Sequence, residues 1–232
     1  MKHQSDRSQR AVTGPEIDPD VTGNELGREV TDRLRTLSKL TADSVAKHLV
    51  MTHRLLYDDP QLAYAHARAA AGRGSRVDVV REALGLAAYA NENYAEALRE
   101  LRTARRLGGG MGLVAVMADC ERGLGRPERA ITLADETDMR QLDRQEVVEL
   151  GIVVAGARMD LNQPDAALVH LGRLRPGTDE ERGRVESFKA DVLEKLGRDA
   201  EAQRARSLAI KLLPSPRAFA AEGIVTDLEG GE

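Results

Sequence analysis

The chain has 232 residues, 41% apolar and 3% aromatic with no tryptophan, and a formal net charge of -4. That apolar content suffices for a core and excludes wholesale disorder, and a core of Ala, Leu, Val and Met suits closely approaching helices better than facing sheets. The terminal segments 1–22 and 214–232 carry -1 and -3, so residues 23–213 balance at zero and lack the footprint of a general nucleic-acid or anionic-membrane binder.

In chain order, residues 1–22 read as a disordered arm, polar and broken, with no apolar core of a secretion signal. A leading helix follows near 24–37, where Leu26, Val30, Leu34 and Leu37 form an amphipathic stripe fit to cap what comes next. Five helix pairs are then predicted, at 42–56 with 60–72, 76–90 with 94–106, 111–124 with 127–137, 146–161 with 164–174, and 181–196 with 199–213. Residues 214–232 form an acidic tail. Nowhere do eighteen uncharged apolar residues run together. Cys120 is the single cysteine, which precludes an internal disulfide and makes the cytoplasm the expected location. The arginine and alanine richness points to a GC-rich bacterial genome.

The pairs repeat. An alanine follows each turn, at Ala63, Ala97, Ala130, Ala167 and Ala202, at intervals of 34, 33, 37 and 35 residues. Twelve residues before each stands Met51, Gly85, Ala118, Ala155 or Ala190, four of the five small. A small residue mid-helix, a turn and a small residue early in the next helix is what two antiparallel helices need where their backbones cross. Gly85 costs about 1 kcal/mol inside a helix, so close packing must compensate it. Gly125 and Gly197, in GLGRPERAI and KLGRDAEAQ, suit the positive φ of a helix C-terminus, while Pro60, Pro127 and Pro164 suit the first turn of the next helix. The 37-residue interval places a three-residue expansion near Thr137–Arg144.

The unit VREALGLAAYANENYAEALRELRTARRL, residues 80–107, resembles the tetratricopeptide repeat, whose pattern is W-x2-L-G-x2-Y, then A-x3-F, then P. Leu84 and Gly85 match L-G, Ala97 matches the alanine and Leu101 takes the aromatic's place. Arg81 stands for the tryptophan, Ala88 for the tyrosine and glycines for the closing proline. The resemblance spans roughly residues 44–213 and implies an all-α, right-handed α-solenoid of about five such helix-turn-helix units with an N-terminal capping helix.

Motifs for chemistry are weak. The run GGGMG, residues 108–112, lacks the Gly-Lys-Ser/Thr of a P-loop and follows a helix, so it reads as a flexible joint. His48 and His53 diverge on a helix by about 140°, and no metal or cofactor site is expected. Cys120, beside Asp119 and Glu121, reads as a packing residue. Arg99, Arg102 and Arg106 read as a solvated outer face. With no nucleophile elbow and no distinctive carboxylate pair, no enzyme is expected.

Members of the family line a concave groove with the first helix of each unit. Carried onto this chain, that face is Val45, His48, Thr52 and Leu55; Val79, Glu82, Leu86 and Tyr89; Ala115, Asp119 and Arg122; Ile152, Gly156 and Met159; and Arg184, Ser187, Asp191 and Glu194. Leu55, Leu86 and Tyr89 would form an apolar patch or pack against neighbouring first helices. His48 and Thr52 stand where chaperone-binding members place a carboxylate-gripping lysine and asparagine, so that role is not implied. The resemblance thus implies a non-catalytic module binding a peptide or partner helix. A homo-oligomer through end units, the expanded loop or the tail is the alternative, with RNA binding third.

Overall fold

Two helix-ending glycines, Gly125 and Gly197, both take a φ of 69°, and the same corner recurs where the sequence has no glycine. Glu92 and Asn162 hold φ values of 58° and 56°. At all four corners the left-handed residue's N–H bonds back three residues, to Tyr89, Arg122, Met159 and Glu194. The next N–H bonds back five, to Ala88, Glu121, Arg158 and Leu193. This is the Schellman closure of a helix end. In a computed structural model that describes residues 14–110 and 112–213, these corners join α4 (Asp78–Ala90) to α5 (Tyr94–Arg106), α6 (Val114–Gly123) to α7 (Pro127–Asp135), α8 (Arg144–Asp160) to α9 (Pro164–Leu171), and α10 (Asp179–Lys195) to α11 (Asp199–Leu212).

Upstream lie α1 (Arg28–Leu34), α2 (Lys39–Leu55) and α3 (Pro60–Arg73), the last started by Asp59, whose side chain accepts the Leu62 N–H at 3.0 Å. Pro60, Pro127 and Pro164 each sit in the first turn of their helix, where the missing N–H costs nothing. Reciprocal capping boxes at Asp143 with Glu146 and Thr178 with Glu181 start α8 and α10. Among the described residues there are eleven α-helices and no strand, and each helix neighbours in space the helices next to it in sequence. None of these helices is long and apolar enough to cross a membrane.

The repeated small residues are the interior. Ala63, Ala97, Ala130 and Ala167 are wholly buried and Ala202 nearly so, as are Met51, Ala118, Ala155 and Ala190. A Cβ placed on Gly85 would sit 2.6 Å from Cδ2 of Leu101, so α5 occupies the space a side chain would need. The core follows the chain in successive clusters: α1 to α4, then α4 to α6, α6 to α8, α8 to α10, and α10 with α11.

Two sequence expectations change. The arm expected to be disordered to residue 22 is ordered from Gly14. Val21 is buried, Ile17 packs on the first cluster, and Arg54 of α2 binds Asp18 at 3.1 Å and Asp20 at 3.0 Å. Its first thirteen residues, Met111 and the acidic tail lie outside the described residues. The leading helix starts at Arg28 and not near 24, because the Glu25 carboxylate turns back to accept the Thr22 and Gly23 N–H groups. Its stripe still packs inward, with Leu26 and Leu34 buried and Val30 and Leu37 against them. The expansion near Thr137–Arg144 is a 3-10 turn, Met139–Gln141, which buries Leu142 before Asp143 caps α8.

Candidate functional site

The face predicted to bind is carried by α2, α4, α6, α8 and α10, and its residues separate into three groups. At the N-terminal end they are interior. Val45 is wholly buried, and His48 and Thr52 are 3% and 2% exposed, so His48 and Thr52 cannot line an open groove. The reason is local: Thr52 donates to the His48 carbonyl at 2.8 Å, while the chain at Gly14 lies so close that a Cβ there would be 2.5 Å from Cε1 of His48. The ordered N-terminal segment therefore covers this part of α2. Leu55 and Val79 are half-buried against the first cluster, and Glu82 and Leu86 are half-buried on α4.

The second group is a polar ladder across three helices. Tyr89 of α4 donates its phenol O–H to Oδ2 of Asp119 on α6 at 2.6 Å. Arg122, one turn along α6, donates from Nη1 to Oδ1 of Asp119 at 2.7 Å. Its Nε and Nη2 reach Asp160 of α8 at 2.8 and 3.3 Å. The guanidinium lies over Gly156, where a Cβ would be 2.4 Å from its Cζ. That explains a helix-interior glycine on α8: it makes room for the arginine. Tyr89, Asp119 and Arg122 are each half-buried, which strengthens charge-assisted hydrogen bonds relative to open water. Burial, then the bond to Asp119, pushes the Tyr89 phenol above its ordinary range, so it remains a donor. Burial works against the Arg122 charge, but its bonds to Asp160 and Asp119 outweigh that and hold it more firmly protonated. Tyr89 also meets Tyr94 of its own α4–α5 hairpin edge-on, ring centres 6.1 Å apart, and it packs on the α4 to α6 cluster while Leu55 packs on the α1 to α4 cluster.

The third group lies toward α10. Arg184 pairs with Glu149 of α8, whose carboxyl burial raises while Arg184 opposes the shift. Ile152 and Met159 pack into the α8 to α10 cluster. Ser187, Asp191 and Glu194 are exposed, and Arg206 of α11 holds Asp191 at 3.3 Å and Glu194 at 2.7 Å. Asp191 thus shares the register of Asp119 and Gly156 but is tied to its own hairpin and stands apart from the ladder.

Sequence reasoning missed Asp160, His66 and the ordering of Gly14–Val21. His66 of α3 faces His48, Nδ1 to Nδ1 at 3.0 Å; no sequence spacing joins residues on different helices. For Asp160 there was a signal, since it lies one turn beyond Gly156, whose missing side chain faces a long neighbour. Burial pushes the Cys120 thiol up to about 12, so it is a protonated packing group and no nucleophile. Among the described residues no group of three His, Cys, Asp or Glu side chains is placed to hold a metal ion. No protein-family model matches the chain, and no curated protein matches it either.

Proposed function

We propose that the chain is a non-catalytic interaction module: a right-handed solenoid of five degenerate tetratricopeptide-like units that holds an extended peptide or partner helix along its first helices. The recurrent corner at Glu92, Gly125, Asn162 and Gly197 and the buried alanine at the same place in every unit support the repeat reading. The binding reading rests above all on the ladder from Tyr89 through Asp119 and Arg122 to Asp160. It fixes polar groups of both signs, half-buried at Tyr89, Asp119 and Arg122 and exposed at Asp160, before any partner arrives, which lowers the entropy lost on binding. Asp119 and Asp160 accept from a peptide's N–H groups, and Leu86 offers an adjacent half-buried apolar contact.

A displayed random dodecamer library tests this. Peptides enriched by the full chain should lose affinity for Arg122→Ala and for the Leu86→Glu/Tyr89→Ala double variant, both checked for retained helicity. Folded variants that keep every enriched peptide would remove the face from consideration. Assembly through end units draws less support, because the exposed residues of α11 are Asp199, Ala200, Gln203, Arg204, Ser207 and Lys211, with Ile210 the one large apolar side chain among them.

A further inference from the structure

Arg99, Arg102 and Arg106 do more than coat α5. With Arg126, from the corner between α6 and α7, they line a cavity of about 250 Å³ over Ala95, Leu98 and Leu124. Beneath it lies the carboxylate of Glu121, 2% exposed. Arg102 donates to its Oε1 at 2.8 Å, with Arg129 at 3.5 Å and Arg126 at 3.7 Å. Glu100, also buried, is shared by Arg81 at 2.6 Å and Arg99 at 3.0 Å, and Arg99 further holds Glu96 at 3.1 Å. Arg106 donates to the neutral hydroxyl of Thr103. Five guanidinia therefore share three carboxylates, with Arg106 beside them on Thr103, within a body whose net charge is zero. Two of those carboxylates are buried and act as fixed anchors, so the surplus positive charge is held in place around the cavity.

We propose that this cavity binds a phosphomonoester. Guanidinium forks match phosphate oxygens two at a time, and a phosphomonoester carries about -1.5 to -2 charges at pH 7 on three terminal oxygens. A carboxylate brings half the charge and two oxygens. The volume admits one phosphorylated side chain or a small ester and not a folded strand of nucleic acid, while Leu98 and Leu124 receive the carbon next to the ester oxygen. The phosphate comes either from a phosphorylated partner protein or from a small phosphorylated molecule. The site lies on α5 and the α6–α7 corner, so it stands independently of the ladder.

Calorimetric titration of the full chain separates these sources and tests the site. The probes are a phosphoserine hexapeptide, its serine and glutamate twins, glycerol 3-phosphate and an RNA decamer. The proposal predicts saturable binding of the phosphohexapeptide or of glycerol 3-phosphate, the tighter of the two identifying the source. Binding tightens as pH rises from about 5.5 to 7.5 and the second phosphate proton leaves. Arg106→Gln and Arg126→Gln, both exposed and leaving Arg102 on Glu121, each weaken it about tenfold or more, and Arg204→Gln on α11 leaves it unchanged. Any one of the following overturns the site: no saturation by either phosphate ester, equal binding of the glutamate twin, tighter binding of the RNA decamer, or Arg106→Gln and Arg126→Gln both within twofold of the parent.

Discussion

Gly85 shows how one residue's missing atoms decide a fold. Alanine is favoured over glycine inside a helix by about 1 kcal/mol, yet a Cβ here would press on Leu101 at 2.6 and 2.7 Å with its backbone N only 3.3 Å away. Overpacking costs about 1 to 3 kcal/mol, so Gly85→Ala is expected to lower the denaturant midpoint; a raised midpoint would mean α4 and α5 are not in this close contact. The corners give the opposite sign. Left-handed backbone costs a non-glycine residue about 1 to 2 kcal/mol, less the entropy that glycine forfeits. Glu92→Gly, at φ 58°, should then stabilise by about 1 kcal/mol, and Asn162→Gly by less, since asparagine tolerates this region. Gly156→Ala has a different readout: its Cβ displaces the Arg122 guanidinium, so peptide affinity should fall while stability stays within about 1 kcal/mol of the parent.

At the scale of elements, the N-terminal segment and the α2–α3 hairpin are coupled through His48 and His66. Their ring nitrogens share one hydrogen bond, which requires one of the two to be bare. Burial first, then the neighbouring His66 and Arg73, push His48 from 6.5 down to about 4. Burial also lowers His66, against the pull of Asp18. The unfolded chain therefore takes up protons that the folded chain refuses, so stability falls as pH drops below about 6.5 and goes on falling toward about 4. Urea titrations at pH 7 and pH 5 should show this loss in the parent and a smaller one in His48→Gln. Equal losses would place the acid sensitivity elsewhere. Helices, corners and prolines were legible in the sequence because they are set within a few residues: Pro127 and Gly125 state their own backbone needs. The pairing of His48 with His66 was not, because it depends on how two helices roll against each other, and the close approach of Gly14 to His48 comes from a segment whose polar composition resembles a tail.

For the whole molecule, the stride of small residues made the stack of pairs readable, and Ala63 through Ala202 are interior as the spacing required. The ladder was half readable. Tyr89, Asp119 and Arg122 were placed on one face by the tetratricopeptide resemblance, whereas Asp160 enters 38 residues from Arg122 because α8 packs against α6, and no spacing encodes that packing. Leu55 and Tyr89 are both half-buried, Leu55 against the α1 to α4 cluster and Tyr89 against the α4 to α6 cluster. The central claim is that partners lie along the first helices, across the Arg122 ladder. Hydrogen exchange of the full chain, with and without its most enriched dodecamer, tests this most directly. The account predicts slowed exchange in α4, α6 and α8 with α5, α7 and α9 unchanged, and protection confined to those second helices would contradict it.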